Sequence, residues 1–342
     1  MLTKLIRPSA LVAAACVALC GLAIAAPASA RVAADGASFI DAATDRLAGP
    51  DRFATSVEVS RSSYPGTASV VYLASGLDFP DALAAGPSAA LQKGPVLLSR
   101  QDSVPAGVRA EIERLRPDRV VIVGGTVSIS SRAEKSLSGS SWKVERIGGA
   151  DRYATARKMV TSTFSGTVSK VYVASGRDFP DSLSAGAAAA KHSGPILLID
   201  GQAATVDAET VALLKQLKPG SIVVAGGLDA VNQPVYAALA RLAPSIERVA
   251  GYSRMETSAL IAGAWSSASH VYLASATQAA DAVVASAAAG ARGEPLLVTI
   301  PWCVDLAIVD RLKELSTTSV TFVGGPDALP QELLERGCIF RP

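Results

Sequence analysis

The chain has 342 residues, 49% hydrophobic and only 5% aromatic, with 32 basic against 30 acidic side chains. This length admits two or three domains, and the composition excludes a disordered or collagen-like chain. The balanced charge excludes a general basic field of the kind that holds nucleic acid, so any anionic partner must be held by local sites.

Residues 1–30 read as an export leader. Lys4 and Arg7 precede the apolar run LVAAACVALCGLAIAA, and Ala28-Ser29-Ala30 is a small-x-small cleavage site. Cleavage after Ala30 removes two bases and no acids, leaving a mature chain with 30 of each and no formal net charge. It also removes Cys16 and Cys20. Cys303 and Cys338 remain, an even pair that in an exported chain reads as one disulfide, with two buried thiols as the alternative. The mature chain is expected outside the cell, with no membrane segment after cleavage.

A linker is expected over 31–45. From Arg46 the pattern becomes regular. DRFATSVEVSRSSY has the length and apolar spacing of a helix opened by Asp51, and SVVYLAS is a β-branched strand. PDALAAGPSAALQ predicts a small-residue helix, PVLLS a second strand, PAGVRAEIERLR a helix, and RVVIVGG a third strand ending in two glycines. A short helix follows through Arg132–Leu137, and SWKVERIGG leads onward.

The pattern then repeats. RLAGPDRFATS at Arg46 returns as RIGGADRYATA at Arg146 and RVAGYSRMETS at Arg248, and SGLDFPDALAAG at Ser75 returns as SGRDFPDSLSAG at Ser175. GPVLLS, GPILLI and EPLLVT follow in turn, and VVIVGG, VVAGG and TFVGG close each copy. The chain is therefore three repeats, 46–145, 146–247 and 248–342, the last divergent. Continuous apolar strands alternating with helices predict a small, mainly parallel sheet in each, covered by helices. The short joins predict close packing.

Several repeated positions are candidates for chemistry. Asp81, Asp181 and Asp281 persist at the strand-to-helix corner, where ligands bind in open α/β sheets and carboxylates accept from sugar hydroxyls. Asp78 and Asp178 give way to Gln278. The purely structural alternative is a capped helix start with Pro80 in its first turn. Gly124–Gly125, Gly226–Gly227 and Gly324–Gly325 close the third strand, either as an anion cradle or as an ordinary exit from a strand. Arg52, Arg152 and Arg254 recur, as do Arg46, Arg146 and Arg248. An arginine fork suits phosphate or carboxylate oxygens, and an ion pair is the simpler alternative.

No enzyme pattern stands beside them. The two histidines, His192 and His270, occupy different places in their repeats, and no HExxH, GxSxG, GxGxxG or Walker loop is present. Neither a metal site nor a cofactor is predicted, and a site written three times suits multivalent binding.

These motifs, RLAGPDRFATS, VYLASGLDFPDALAAG, GPVLLS and VVIVGG with their counterparts, resemble the cell wall-binding repeat 2 family over about residues 46–335. The resemblance implies Toprim-like or flavodoxin-like α/β domains packed with pseudo-threefold symmetry, in a monomer with an internal pseudo-trimer. It implies a surface protein held non-covalently to the Gram-positive wall through anionic polymers such as teichoic-acid-like or secondary wall polysaccharides. It associates the strands Pro95-Val96-Leu97-Leu98, Pro195-Ile196-Leu197-Leu198 and Pro295-Leu296-Leu297 with anchoring. The third repeat departs from the pattern at Ser253, Ala276, Gln278 and Ala280, which counts against ligand binding at junctions that use it. Modulation of a peptidoglycan amidase and surface adhesion are the alternative functions.

Overall fold

Each repeat starts with a side-chain cap. Asp51 Oδ1 accepts from the Ala54 amide at 2.8 Å, Asp151 Oδ1 from Ala154 at 2.7 Å, and Ser253 Oγ from Glu256 at 3.1 Å. Serine and aspartate cap about equally well, so the third repeat keeps this helix start despite losing its acid. These contacts come from a computed structural model, which describes residues 42–77, 79–138, 141–335 and 337–338. The leader of residues 1–30 and Asp78 lie outside the described residues.

The first strand is β1 (Ala43–Leu47). The first unit continues as α1 (Arg52–Ser63), β2 (Val70–Ser75), a 3₁₀ turn (Pro80–Ala84) running into α2 (Ala85–Leu91), β3 (Val96–Ser99), α3 (Ala106–Leu115), β4 (Arg119–Val123), α4 (Ser131–Leu137) and β5 (Lys143–Ile147). The second is α5 (Arg152–Thr163), β6 (Lys170–Ser175), α6 (Pro180–Lys191), β7 (Ile196–Ile199), α7 (Ala208–Leu217), β8 (Ser221–Ala225), α8 (Gln233–Leu239) and β9 (Ser245–Val249). The third is α9 (Arg254–Ile261), β10 (His270–Ser275), α10 (Ala279–Arg292), β11 (Leu296–Thr299), β12 (Val304–Asp305), α11 (Leu306–Glu314) and β13 (Ser319–Val323), followed by β14 (Gly337–Cys338).

Three four-stranded sheets result, with orders β3-β2-β4-β5, β7-β6-β8-β9 and β11-β10-β13-β1, and every pairing in them is parallel. The chain is thus three α/β units with parallel sheets flanked by helices. The central strands are buried along nearly their whole length, as sheets covered on both faces require.

The sequence pattern shows three strands per unit, and the structure has a fourth. SWKVERI, read only as a lead into the next copy, is β5, and its counterpart SIERV is β9. In the third sheet the place is taken by β1, with Ala43 opposite Ser319 and Leu47 opposite Val323. Residues 43–45, read as the end of a linker, are therefore sheet. β5, β9 and β1 take the edge position in place of β4, β8 and β13, and their charged, partly buried residues suit an edge.

The units meet around α2, α6 and α10, each of which touches the other two. Small residues permit that approach. A Cβ on Gly186 would lie 2.7 Å from Ser286 Oγ, and one on Gly290 would lie 2.7 Å from Ala190 Cβ. Ser286 Oγ donates to the Leu183 carbonyl at 2.7 Å, tying the third unit to the second. The first helix of each unit then packs on the preceding unit: α5 on the 80–84 turn and α2, α9 on α6, and α1 on α10.

Candidate functional site

The C-terminal ends of the central strands lead directly into the turns that carry Asp81, Asp181 and Asp281. All three lie in the first turn of a helix, where the positive end of the helix dipole favours a carboxylate. The glycine pairs come from the neighbouring strand and meet them. Gly124, Gly226 and Gly324 have φ of 101°, 104° and 120°, which L side chains rarely adopt. A Cβ at these positions would lie 2.5, 2.5 and 2.8 Å from Oδ2 of Asp81, Asp181 and Asp281 respectively. The first glycine of each pair is therefore the seat of the carboxylate, and two motifs far apart in sequence form one corner.

The three corners differ in how the carboxylate is satisfied. Ser128 Oγ donates to Asp81 Oδ2 at 2.9 Å. The matching residues in the other units are Ala230 and Ala328, which have no such donor. Asp181 Oδ1 and Asp281 Oδ1 are shut off from solvent with no hydrogen-bond partner among the described residues. Burial pushes both carboxyls up to about 6. Asp178 adds to the shift at Asp181 and Arg254 opposes it, while Arg52 opposes the shift at Asp281.

Two of the arginines, Arg254 and Arg52, act on these acids across the junctions. Arg52 Nη1 donates to the Gly76 carbonyl at 2.8 Å, Arg152 to Gly176 at 2.7 Å and Arg254 to Ala276 at 3.3 Å, each over the strand end of its own unit. Arg254 also pairs with Asp178 of the preceding unit at 3.3 Å. Arg52 acts on Asp281 in the same sense, and Arg152 starts the helix that packs on the turn of Asp81. Each junction thus combines the acid of one unit with the arginine of the next.

The second arginine set has a different place. Arg146 Nη1 donates to the carbonyls of Gly124 and Gly125, both at 2.9 Å; Arg248 holds Gly226 and Gly227 at 2.8 and 2.9 Å; Arg46 holds Gly324 at 2.6 Å. The amides of Gly124, Gly226 and Gly324 continue the sheet by donating to Ile147, Val249 and Leu47. These contacts make the glycine pair a clamped corner of the fold.

The strands Val96–Ser99, Ile196–Ile199 and Leu296–Thr299 are wholly buried. They pack on α10, on the 80–84 turn and on α6 respectively, each under a junction with another unit. Pro95, Pro195 and Pro295 supply carbonyls to the amides of Tyr72, Tyr172 and Tyr272. Pro95 and the residues that follow it therefore support the junctions from beneath.

At the junction of the second and third units the walls part into a cleft of about 270 Å³. Arg177, Asp178, Asp181 and Asp229 line it from one side, and Tyr252 and Arg254 from the other. Sequence reasoning singled out Asp181 and Arg254 and missed Arg177, Asp229 and Tyr252. The available signal was Tyr252, an aromatic in an aromatic-poor chain, standing where the other copies have Pro50 and Ala150. Among the described residues no group of His, Cys, Asp or Glu could hold a metal ion, and no helix is long and apolar enough to cross a membrane.

Comparison with known proteins agrees with this architecture. The cell wall binding domain 2 (CWB2) family matches residues 46–134, 146–236 and 248–334. The chain is 28% identical over 260 residues to the N-acetylmuramoyl-L-alanine amidase LytC of Bacillus subtilis (strain 168), covering 76% of this chain and 51% of the relative. It is 27% identical over 293 residues to the amidase enhancer of the same organism, covering 85% of this chain and 40% of that one. Among solved structures it is similar to Cwp6 from Clostridium difficile, with a TM-score of 0.80, 26% identity and coverage of 86% of this chain and 47% of the other. Cwp8 from Clostridium difficile gives 0.75 and 28%, with 82% and 49% covered. The chain spans about half the length of the relatives it matches, or less. The chain belongs to the cell wall binding domain 2 family, as three cell-wall-binding repeats in tandem.

Proposed function

We propose that this protein is a non-catalytic, exported module that holds the bacterial wall non-covalently through its anionic polymers, teichoic-acid-like or secondary wall polysaccharide. The observation that carries the reading is the repeated junction, in two copies of which the arginine of one unit acts on the strand-end acid of the unit before it, Arg254 on Asp181 and Arg52 on Asp281. Arg52 and Arg152 are the groups proposed to meet the polymer's anionic oxygens, Arg254 being already paired with Asp178, and Asp81, Asp181 and Asp281 complete each corner. Gly124–Gly125, Gly226–Gly227 and Gly324–Gly325 shape the corner that seats the acid. Three junctions on one rigid chain give avidity, so each can be weak. The chain works as a monomer with its pseudo-trimer internal, after removal of the leader.

The test is retention by purified Gram-positive walls before and after the anionic polymer is stripped. Native walls are expected to hold the protein and stripped walls to release it. The R52A/R152A variant is expected to keep its far-UV signal while losing retention. Equal retention by stripped walls would sink the reading. Similarity to an amidase enhancer favours one second reading, modulation of a wall amidase. Faster release of wall fragments by an amidase when this protein is added, with polymer-independent retention, would favour it.

We also propose the disulfide between Cys303 and Cys338. β12 pairs in parallel with β14, with Val304 opposite Gly337 and Asp305 opposite Cys338, which brings the two cysteine segments together. The side chain of Cys338 lies outside the described residues. Labelling of the denatured, non-reduced protein is expected to find neither thiol, and two labelled thiols would refute the bond.

A further inference from the structure

The junction of the second and third units carries an aromatic side chain, Tyr252, where its counterparts have Pro50 and Ala150, and it lines the cleft. Tyr252 is 81% exposed, the most exposed of the large hydrophobic side chains among the described residues. Its backbone is fixed nonetheless. Its amide donates to Glu256 Oε2 at 2.7 Å, and the preceding Gly251 amide donates to Thr257 Oγ1 at 3.0 Å. A phenol ring on a fixed backbone at the lip of a cleft is a ready contact surface that loses little conformational freedom on binding.

The charge of this cleft narrows what can lie on that ring. Its two cations already have partners: Arg177 makes a two-point pair with Asp200 at 2.7 and 2.8 Å, and Arg254 pairs with Asp178. Asp229 is exposed beside them, and Asp181 closes the floor. The lining is therefore rich in carboxylate acceptors, and its guanidinium charge is neutralised. Such a surface repels phosphate and carboxylate groups and accepts hydrogen bonds from hydroxyls. A sugar ring offers what remains: an apolar C–H face for the tyrosine and hydroxyls for the acids.

We propose that Tyr252, Asp178 and Asp229 form a subsite for a neutral sugar ring at the second junction. There the protein reads an uncharged residue of the wall polymer and not its anionic linkage. The inference rests on the polymer-binding reading above. It also reverses the expectation that divergence of the third repeat disables the junctions it enters: the departure at Tyr252 creates the platform.

The experiment uses the full mature chain with methyl β-D-glucopyranoside, methyl α-D-mannopyranoside and methyl N-acetyl-β-D-glucosaminide as neutral probes, and glycerol 1-phosphate as the anionic one. Binding is read by saturation-transfer NMR, and affinity for native walls in parallel. At least one neutral glycoside is expected to receive saturation from the wild type and from Y252W, and none from Y252A. Wall affinity of Y252A is expected to fall roughly tenfold, the scale of truncating an aromatic anchor, with its melting temperature unchanged. Y252W is expected to restore it. Wild-type retention by Y252A on native walls, together with loss of all variants from stripped walls, would overturn this subsite and leave the polymer reading standing. Retention of every variant by stripped walls would overturn both. Saturation of glycerol 1-phosphate that disappears in Y252A would overturn the assignment to a neutral ring.

Discussion

Replacing Gly226 by Ala is expected to destabilise the protein by about 3 kcal/mol, a drop in melting temperature of roughly 5–10 °C. Two effects add. The backbone there has a φ of 104°, which a Cβ makes costly. The new methyl would also lie 2.5 Å from Asp181 Oδ2 and 2.7 Å from Ala230 Cβ, so one of two packed groups must shift. The double variant G226A/D181A should recover the part due to the carboxylate and leave the part due to φ. Gly227 next door is the control, since a Cβ there meets nothing within 4 Å. If G226A and G227A melt together, the close seat of the acid described here is wrong.

The second large effect is a fall in stability as pH rises from 4 to 6. Asp181 and Asp281 titrate near 6 in the folded protein and near 3.9 in an unfolded chain. Between those values the folded state binds more protons than the unfolded one. The stability these groups contribute is therefore complete below about pH 4 and lost as pH rises through 6. Each group accounts for roughly 3 kcal/mol across that window. The carboxyls held low act in the opposite sense: Glu111, though its burial acts to raise it, is held low overall by Arg114, Ser60 and Arg61, and loses its stabilising effect only as pH falls. Comparing wild type with D181N/D281N between pH 4 and 7.5 separates the two. The variant is expected to be the more stable at pH 7.5 and nearly flat over the window. Parallel melting curves for the two proteins at every pH would refute the argument.

The alternation of apolar runs and amphipathic segments located the three main strands and the helices of each unit, because burial on both faces leaves an unmistakable stretch such as VVYLAS. The fourth strand was hidden for the same reason in reverse. Lys143–Ile147 lies at a sheet edge, only partly buried, so its pattern is too polar to stand out. The triplication pointed to Asp81, Arg52, Gly124 and their counterparts, but not to their roles. Sequence could not show that the glycine touches the acid of its own unit while the arginine faces the acid of another, since both contacts join segments far apart in the chain. Nor could it separate the two arginine sets: Arg146 reaches four backbone and side-chain acceptors within its own corner, whereas Arg152 stands at a junction. The acid missing at Ser253 looked like decay of a site. The structure makes it an exchange of one helix cap for another.

The pairing of β1 with β13 has a topological consequence. The segment that precedes the first repeat in sequence belongs to the last unit in space, and Arg46 on that strand clamps Gly324 and Leu329 of the same unit. The three units therefore close into a ring whose clasp is β1 on β13, and the sequence copies begin in the middle of the fourth strands rather than at the limits of the folded units. The sequence boundaries at 45/46, 145/146 and 247/248 fall inside β1, β5 and β9, so a fragment cut there would carry only part of each fourth strand. Swapping, deleting or appending a repeat at those boundaries divides a fourth strand, whereas a cut placed between a fourth strand and the helix that follows it leaves each sheet whole. For the same reason β1 and β14, the first and last strands of the described chain, both pair with strands of the third unit.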